Sequence, residues 1–127
     1  MVHLDTSVLI DALTGPRRSA PGLRLLFERG ERVSVCTLVL FEWTRGPRKP
    51  EELRVQEALF PPGEAVAFGV VEDVMAADLY KRMRRTRGRE IDLAIAACAV
   101  ADDAAFWTLN TADFTDIPGL ILVDPAA

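Results

Sequence analysis

Short apolar segments alternate along this chain with longer segments in which apolar residues recur at helical spacing. The short segments predict strands at residues 2–5, 33–36, 65–68, 105–109 and 120–124. The longer segments predict helices at 7–13, 21–29, 37–45, 51–60, 71–85 and 90–102, and Gly or Pro stands near several of their boundaries. Such alternation predicts an α/β fold in which a central, mainly parallel sheet of about five short strands is flanked by helices. No linker or repeat interrupts the pattern, so we expect residues 1–127 to form a single domain.

The charge balance is mildly acidic overall but strongly basic in one stretch. Fifteen Lys and Arg against 19 Asp and Glu give a formal net charge of −4, which does not by itself suggest a nucleic-acid partner. Six basic residues are nevertheless concentrated in one short segment: Lys81, Arg82, Arg84, Arg85, Arg87 and Arg89. Any argument about partners therefore depends on this segment and not on the average.

The cysteines and the apolar runs indicate a cytoplasmic protein. Cys36 and Cys98 lie in apolar surroundings and form no Cys-x-x-Cys motif, which predicts small, reduced core residues. The start of the chain reaches Asp5 before any long apolar run, unlike a signal peptide. No apolar stretch approaches the roughly 20 residues that span a bilayer, so we expect no membrane segment.

Four carboxylates stand at positions where a solvated acid would be unusual: Asp5, Glu42, Asp92 and Asp113. Asp5 ends the first predicted strand, and Asp113 follows the strand at 105–109 by a few residues. Glu42 and Asp92 lie on predicted helices. In an α/β sheet, sites form at the carboxyl ends of parallel strands, where all four acids can converge. Carboxylates that are partly removed from water and close together are stabilised by a divalent cation, so the pattern predicts a metal site.

Each acid also has a simpler interpretation when it is taken alone. An Asp after a strand is most often a turn former or a helix cap, and a Glu in a short helix is most often solvated. The metal-site hypothesis gains its weight from the convergence of four acids, because the simpler interpretation would have to hold at every one of them.

The segments around these acids resemble the PIN-domain ribonucleases of the VapC toxin type. The carrying sequences are LDTSVLID at 4–11, TLVLFE at 37–42, RGREIDLAIAA at 87–97, and TLNTADF at 108–114 with IPGL at 117–120. The resemblance implies a PIN-like domain and a Mg²⁺- or Mn²⁺-dependent endoribonuclease, with Asp5, Glu42, Asp92 and Asp113 as catalytic metal ligands. Asp116 is an alternative to Asp113 as the fourth acid.

The resemblance also implies a supporting shell around the acids and two kinds of partner. Thr6, Ser7, Asn110 and Thr111 would support the ligands. A cognate antitoxin and a second copy of the chain would be the protein partners, and RNA the substrate. Of the basic segment, Arg85, Arg87 and Arg89 lie closest to Asp92 and are predicted to contact RNA phosphates.

Other protein classes fit the residues less well. A haloacid-type phosphatase needs a second Asp where Ser7 stands, and a response-regulator receiver needs a late Lys, whereas the only lysines are Lys49 and Lys81. The only histidine is His3, inside the first predicted strand, where a structural role is favoured over a Ser-His-Asp site. The alternative that stays open is a PIN-like scaffold that binds RNA or protein without cleaving it.

Overall fold

The computed structural model describes residues 1–126 and contains four strands and six α-helices in that range. In chain order these are β1 (Val2–Leu4), α1 (Thr6–Leu13), α2 (Ala20–Glu28), β2 (Val33–Ser34), α3 (Thr37–Arg45), α4 (Pro50–Leu59), α5 (Val70–Arg82), α6 (Glu90–Ala101), β3 (Ala105–Trp107) and β4 (Ile121–Leu122). Two short 3₁₀ turns lie at Pro62–Glu64 and Thr111–Asp113. The alternation of strands and helices predicted by the apolar pattern is confirmed.

The four strands form one parallel sheet in the order β2-β1-β3-β4. Val2 in the central β1 pairs with Val33 on one side and with Ala105 on the other. Parallel strands require a crossover; the connections from β1 to β2 and from β2 to β3 carry α-helices, whereas the connection from β3 to β4 carries only the 3₁₀ turn at Thr111–Asp113. All carboxyl ends of the strands therefore point to the same edge, which is where β1 and β3 deliver Asp5 and Thr108.

The predicted strand at 65–68 is the main correction to the sheet. Only one isolated parallel bridge forms there, between Cys36 and Val66. Val66 exchanges backbone hydrogen bonds with Val35 and Thr37, but α3 begins at Thr37 and ends the pairing. The amide of Phe68 donates instead to the Thr37 hydroxyl, 3.1 Å away. The sheet consequently has four strands within the described residues and not five.

Most helix boundaries lie within one residue of the predicted ones, and the end of α5 differs most. Helix α5 ends at Arg82 rather than Arg85, because Met83 is extended (φ −95°, ψ 161°) and packs its partly buried side chain on the core. Arg85 then adopts a left-handed conformation with φ +56°. Helix α1 begins at Thr6, one residue before the predicted start, with Asp5 as its N-cap residue.

Helix α6 lies at the centre of the packing. Every residue from Leu93 to Ala99 is buried, and α6 packs against α5, α3 and β3. Its alanines allow this close approach, because small side chains keep the backbone near its neighbours. The helix thus brings Asp92, in its first turn, to the edge of the sheet where β1 and β3 end.

The two cysteines and the histidine are buried in the core. Cys36 and Cys98 are buried, free thiols. His3 is buried, with its Nε2 2.8 Å from the Oδ2 of Asp102 at the end of α6. No helix in residues 1–126 is long and apolar enough to cross a membrane.

Candidate metal-dependent active site

Asp5 occupies the N-cap position of α1, yet its side chain makes no capping hydrogen bond. Its Oδ2 instead accepts hydrogen bonds from the hydroxyls of Ser7, at 2.9 Å, and Thr108, at 2.7 Å. The residue is only 4% exposed. Hydrogen bonds to a charged group are stronger than neutral ones, so the two hydroxyls fix this carboxylate while leaving Oδ1 without a hydroxyl donor in residues 1–126. Asp5 therefore occupies the N-cap position of α1 with its backbone, while its carboxylate is bound by hydroxyls and not by the amides of the helix.

Thr108 is the residue that sequence reasoning missed. It is buried at the end of β3, where its hydroxyl donates to Asp5 and accepts the amide hydrogen of Asn110 at 3.0 Å. The Ser7 hydroxyl similarly accepts the amide hydrogen of Leu109 at 3.1 Å. These bonds join the ends of β1 and β3. The available signal was a hydroxyl residue directly after a predicted apolar strand.

Glu42 lies on α3 and is held by a neighbouring hydroxyl of its own. Thr6 donates to Glu42 Oε1 at 2.6 Å, and the Arg45 guanidinium lies 3.6 Å from Oε2. The carboxyl is partly buried, and Arg45 is mostly exposed. Thr6 and Ser7 thus each donate a hydrogen bond to one acid, and their role as a supporting shell stays a prediction.

The electrostatics of Asp92 reveal how close the four acids are. Desolvation, followed in order of size by the negative charges of Asp5, Glu42 and Asp113, raises the pKa of Asp92 from 3.8 to about 6. Arg89 acts in the opposite direction and lowers it. A carboxyl shifted in this way lies among like charges in a partly dry site. Four acids from four separate segments therefore share one electrostatic environment.

Asp113 and Asp116 lie in the same loop but have different surroundings. Asp113 ends the 3₁₀ turn that begins at Thr111 and has Asn110 as its N-cap, and it is exposed. Asp116 forms two hydrogen bonds with the Arg89 guanidinium, at 2.6 and 2.9 Å. Only Asp113 of the two contributes to the raised pKa of Asp92.

The three arginines predicted to contact RNA also differ. Arg85 and Arg87 are exposed and lie on the connection between α5 and α6. Arg89 is the N-cap residue of α6, and its side chain is mostly buried against the loop that carries Asp113. Within residues 1–126, Arg85 and Arg87 therefore form no ion pair, whereas Arg89 is paired with Asp116.

The donor set suits a hard divalent cation, although the side chains do not yet enclose one. Carboxylate and hydroxyl oxygens are the ligands that Mg²⁺ and Mn²⁺ prefer. Within residues 1–126, no three His, Cys, Asp or Glu side chains are arranged as a ready-made metal cage. Mutual repulsion between the carboxylates is consistent with this spacing, and Mg²⁺ typically takes only one or two carboxylates directly. The acids thus fit a cation held by few direct protein ligands.

A parallel sheet flanked by helices is the fold that the resemblance to PIN-domain ribonucleases implied. The family model described as PIN domain matches residues 2–120, and the chain belongs to this family. The curated relatives include Ribonuclease VapC19 of Mycobacterium tuberculosis, which is 33% identical over 125 residues. That alignment covers 94% of this chain and 97% of the relative.

Solved structures of similar fold include two complexes. The DNA-bound VapBC of Salmonella typhimurium has a TM-score of 0.79 at 21% identity, covering 98% of this chain and 97% of its counterpart. A toxin–antitoxin complex from Klebsiella pneumoniae has a TM-score of 0.73 at 24% identity, covering 98% of both chains. At these identities the likeness concerns the fold.

Proposed function

We propose that this protein is a Mg²⁺- or Mn²⁺-dependent endoribonuclease and the toxin of a toxin–antitoxin pair. The observation that carries the proposal is the buried Asp5 carboxylate, which Ser7 and Thr108 hold at the ends of β1 and β3. Asp5, Glu42 and Asp113 also raise the pKa of Asp92, which supports the proposal. Groups with strongly shifted pKa values are concentrated at functional sites. The proposal is supported by membership of the PIN domain family and by the similarity to a ribonuclease over nearly the whole chain.

In this mechanism the catalytic ligands are Asp5, Glu42, Asp92 and Asp113. Ser7 and Thr108 orient Asp5, and Thr6 orients Glu42, so that two ligand side chains are held before substrate arrives. A bound Mg²⁺ or Mn²⁺ would lower the pKa of a water ligand and offset negative charge on the phosphate. The exposed Arg85 and Arg87 would bind flanking phosphates without reading base sequence.

The decisive experiment incubates purified protein with RNA in the presence of Mg²⁺ or Mn²⁺. We expect wild type to cleave, EDTA to prevent cleavage, and Asp5→Asn to remove it. Asp103→Asn is the matched control, because it makes the same chemical change at an exposed residue whose φ of +52° Asn tolerates. Attack by water would leave no cyclic phosphate on the product, whereas a contaminating nuclease that uses the ribose hydroxyl would.

The second candidate function is a PIN-like module that binds RNA or protein without cleaving it. Retention of all four acids favours catalysis over this alternative. The binding module would be favoured if the purified protein binds RNA but leaves it intact with either cation at every protein concentration tested.

The proposed protein partners are an antitoxin and a second copy of the chain, meeting in the cytoplasm. The antitoxin is supported by the complexes of similar fold. For the dimer, Val70, Val71 and Val74 at the start of α5 are 80%, 65% and 63% exposed, and a contiguous apolar patch of this kind is typical of an interface. Light scattering on wild type and Val71→Asp tests the dimer, which should dissociate in the variant.

A further inference from the structure

Arg89 makes more polar contacts than the other basic residues in its segment. One terminal nitrogen donates to Asp116 Oδ2 at 2.9 Å and lies 3.3 Å from the backbone oxygen of Arg85. The other donates to Asp116 Oδ1 at 2.6 Å and to the backbone oxygen of Asp113 at 2.8 Å. The side chain therefore joins the start of α6, the preceding turn and the loop of Asp113.

The geometry of these contacts distinguishes the pair from an ordinary surface salt bridge. Exposed ion pairs contribute little because two flexible side chains must be ordered in water. Here the guanidinium binds the Asp116 carboxylate through both terminal nitrogens, and the Arg89 side chain is 20% exposed while that of Asp116 is 51% exposed. The planar fork of Arg suits such paired contacts, whereas a Lys ammonium would satisfy them only in part.

The positions of the two residues connect this pair to the active-site acids. Arg89 stands three residues before Asp92, and Asp116 stands three residues after Asp113. The bond from Arg89 to the Asp113 carbonyl holds the loop against the first turn of α6. Phe114 anchors the same loop from the inside, with its ring centroid 5.0 Å from that of Phe106. The loop that carries Asp113 is thus held by Phe114 on its buried side and by Arg89 on its exposed side.

We propose that Arg89 and Asp116 form a clamp that positions the Asp113 carboxylate relative to Asp92, and that neither residue contacts RNA phosphate or the cation. The clamp rests on the proposed function, since it assigns roles within the same active site. It makes Arg89 and Asp116 positioning residues. It also leaves Asp113, rather than Asp116, as the fourth acid.

The test uses Arg89→Lys, Asp116→Asn and the double variant, with Mn²⁺ affinity measured by calorimetry and cleavage kinetics measured on RNA. Loss of a group that orients a metal ligand typically weakens metal affinity or activity roughly ten- to hundred-fold. We expect both single variants to weaken Mn²⁺ binding and lower kcat within this range, with little change in KM for RNA. Because the residues act as one unit, the double variant should be no worse than either single variant.

Each competing assignment gives a different result. If Arg89 contacts phosphate and Asp116 merely neutralises it, Asp116→Asn removes a negative charge and should tighten RNA binding while Mn²⁺ affinity is unchanged. If Asp116 is itself a metal ligand, Asp116→Asn should weaken Mn²⁺ binding, whereas Arg89→Lys should not. Either result would overturn the clamp.

Hydrogen exchange in metal-free protein gives a readout that does not depend on activity. We expect Asp116→Asn to accelerate amide exchange at residues 110–117, because the outer attachment of the loop is lost. The matched control is Arg82→Lys with Asp78→Asn, which makes the same chemical changes in an exposed Arg–Asp pair on α5 with a 2.9 Å contact. The control should leave both loop exchange and Mn²⁺ affinity unchanged.

The failures of the two proposals are distinguishable. If wild type cleaves RNA with Mn²⁺ and the clamp variants keep their Mn²⁺ affinity and loop exchange unaltered, only the clamp is refuted. If wild type fails to cleave RNA while the variants show faster loop exchange, the proposed function is refuted. Only the structural part of the clamp then remains.

Discussion

Replacing Asp92 by Asn should stabilise the metal-free protein while removing its activity. The substitution keeps the shape of the side chain and removes a charge that Asp5, Glu42 and Asp113 repel. The folded protein holds the Asp92 proton more tightly than the unfolded chain does, since the pKa is raised from 3.8 to about 6. The stability of the folded protein therefore decreases as the pH rises from 3.8 to about 6. Above that pH the full destabilisation by the charged Asp92 is present.

The size of the effect follows from the pKa shift. At about 1.4 kcal/mol per pKa unit, a shift of roughly two units corresponds to about 3 kcal/mol. Solvent screens a half-buried carboxyl, and the N-terminus of α6 favours its charged form, so we expect roughly 1–2 kcal/mol at pH 8. For a chain of this length, that corresponds to an increase in Tm of roughly 4–8 °C.

The assay is thermal unfolding of wild type and Asp92→Asn in EDTA between pH 4 and pH 8. The difference in Tm should be largest at pH 8 and should shrink towards pH 4, where wild type is protonated in the folded state and the repulsion disappears. Asp103→Asn, at an exposed position, should show no comparable pH-dependent gain. An Asp92→Asn protein that melts at or below the wild-type temperature at pH 8 would refute the reasoning.

Three further substitutions test other parts of the structure. Thr108→Val removes the 2.7 Å hydroxyl bond to Asp5, so chemical denaturation should reveal a loss of about 1–3 kcal/mol, while Thr108→Ser should retain most of the stability. Arg85→Ala with Arg87→Ala should raise KM for RNA and reduce its salt dependence without changing kcat, and an unchanged salt dependence would argue against phosphate contacts. Gly22→Ala places a methyl group 2.8 Å from the buried Trp107 ring and should cost about 1–3 kcal/mol in unfolding measurements, whereas the unobstructed Gly63→Ala should be close to neutral.

Local patterns along the chain were sufficient to predict the element order and the parallel sheet. Buried strands are nearly all apolar, and helices bury one stripe, so both leave a record in the sequence. The predicted number of strands was wrong, because a strand at 65–68 needs a neighbouring strand with which it can pair. That partner is lost where α3 begins at Thr37, and this competition between pairing and helix formation is not visible within the segment itself.

The sequence by itself identified the acidic residue types, their order and their resemblance to a known family. Only the tertiary structure decided what each acid contacts. In the structure the Asp5 carboxylate makes no capping hydrogen bond to α1, Thr108 donates a hydrogen bond to it, and Asp116 pairs with Arg89. The physical reason is the distance along the chain over which each feature is determined. Apolar spacing involves only a few neighbouring residues, whereas the contact between Thr108 and Asp5 depends on the pairing of β3 with β1. Side chains far apart in sequence acquire their roles when the sheet is assembled.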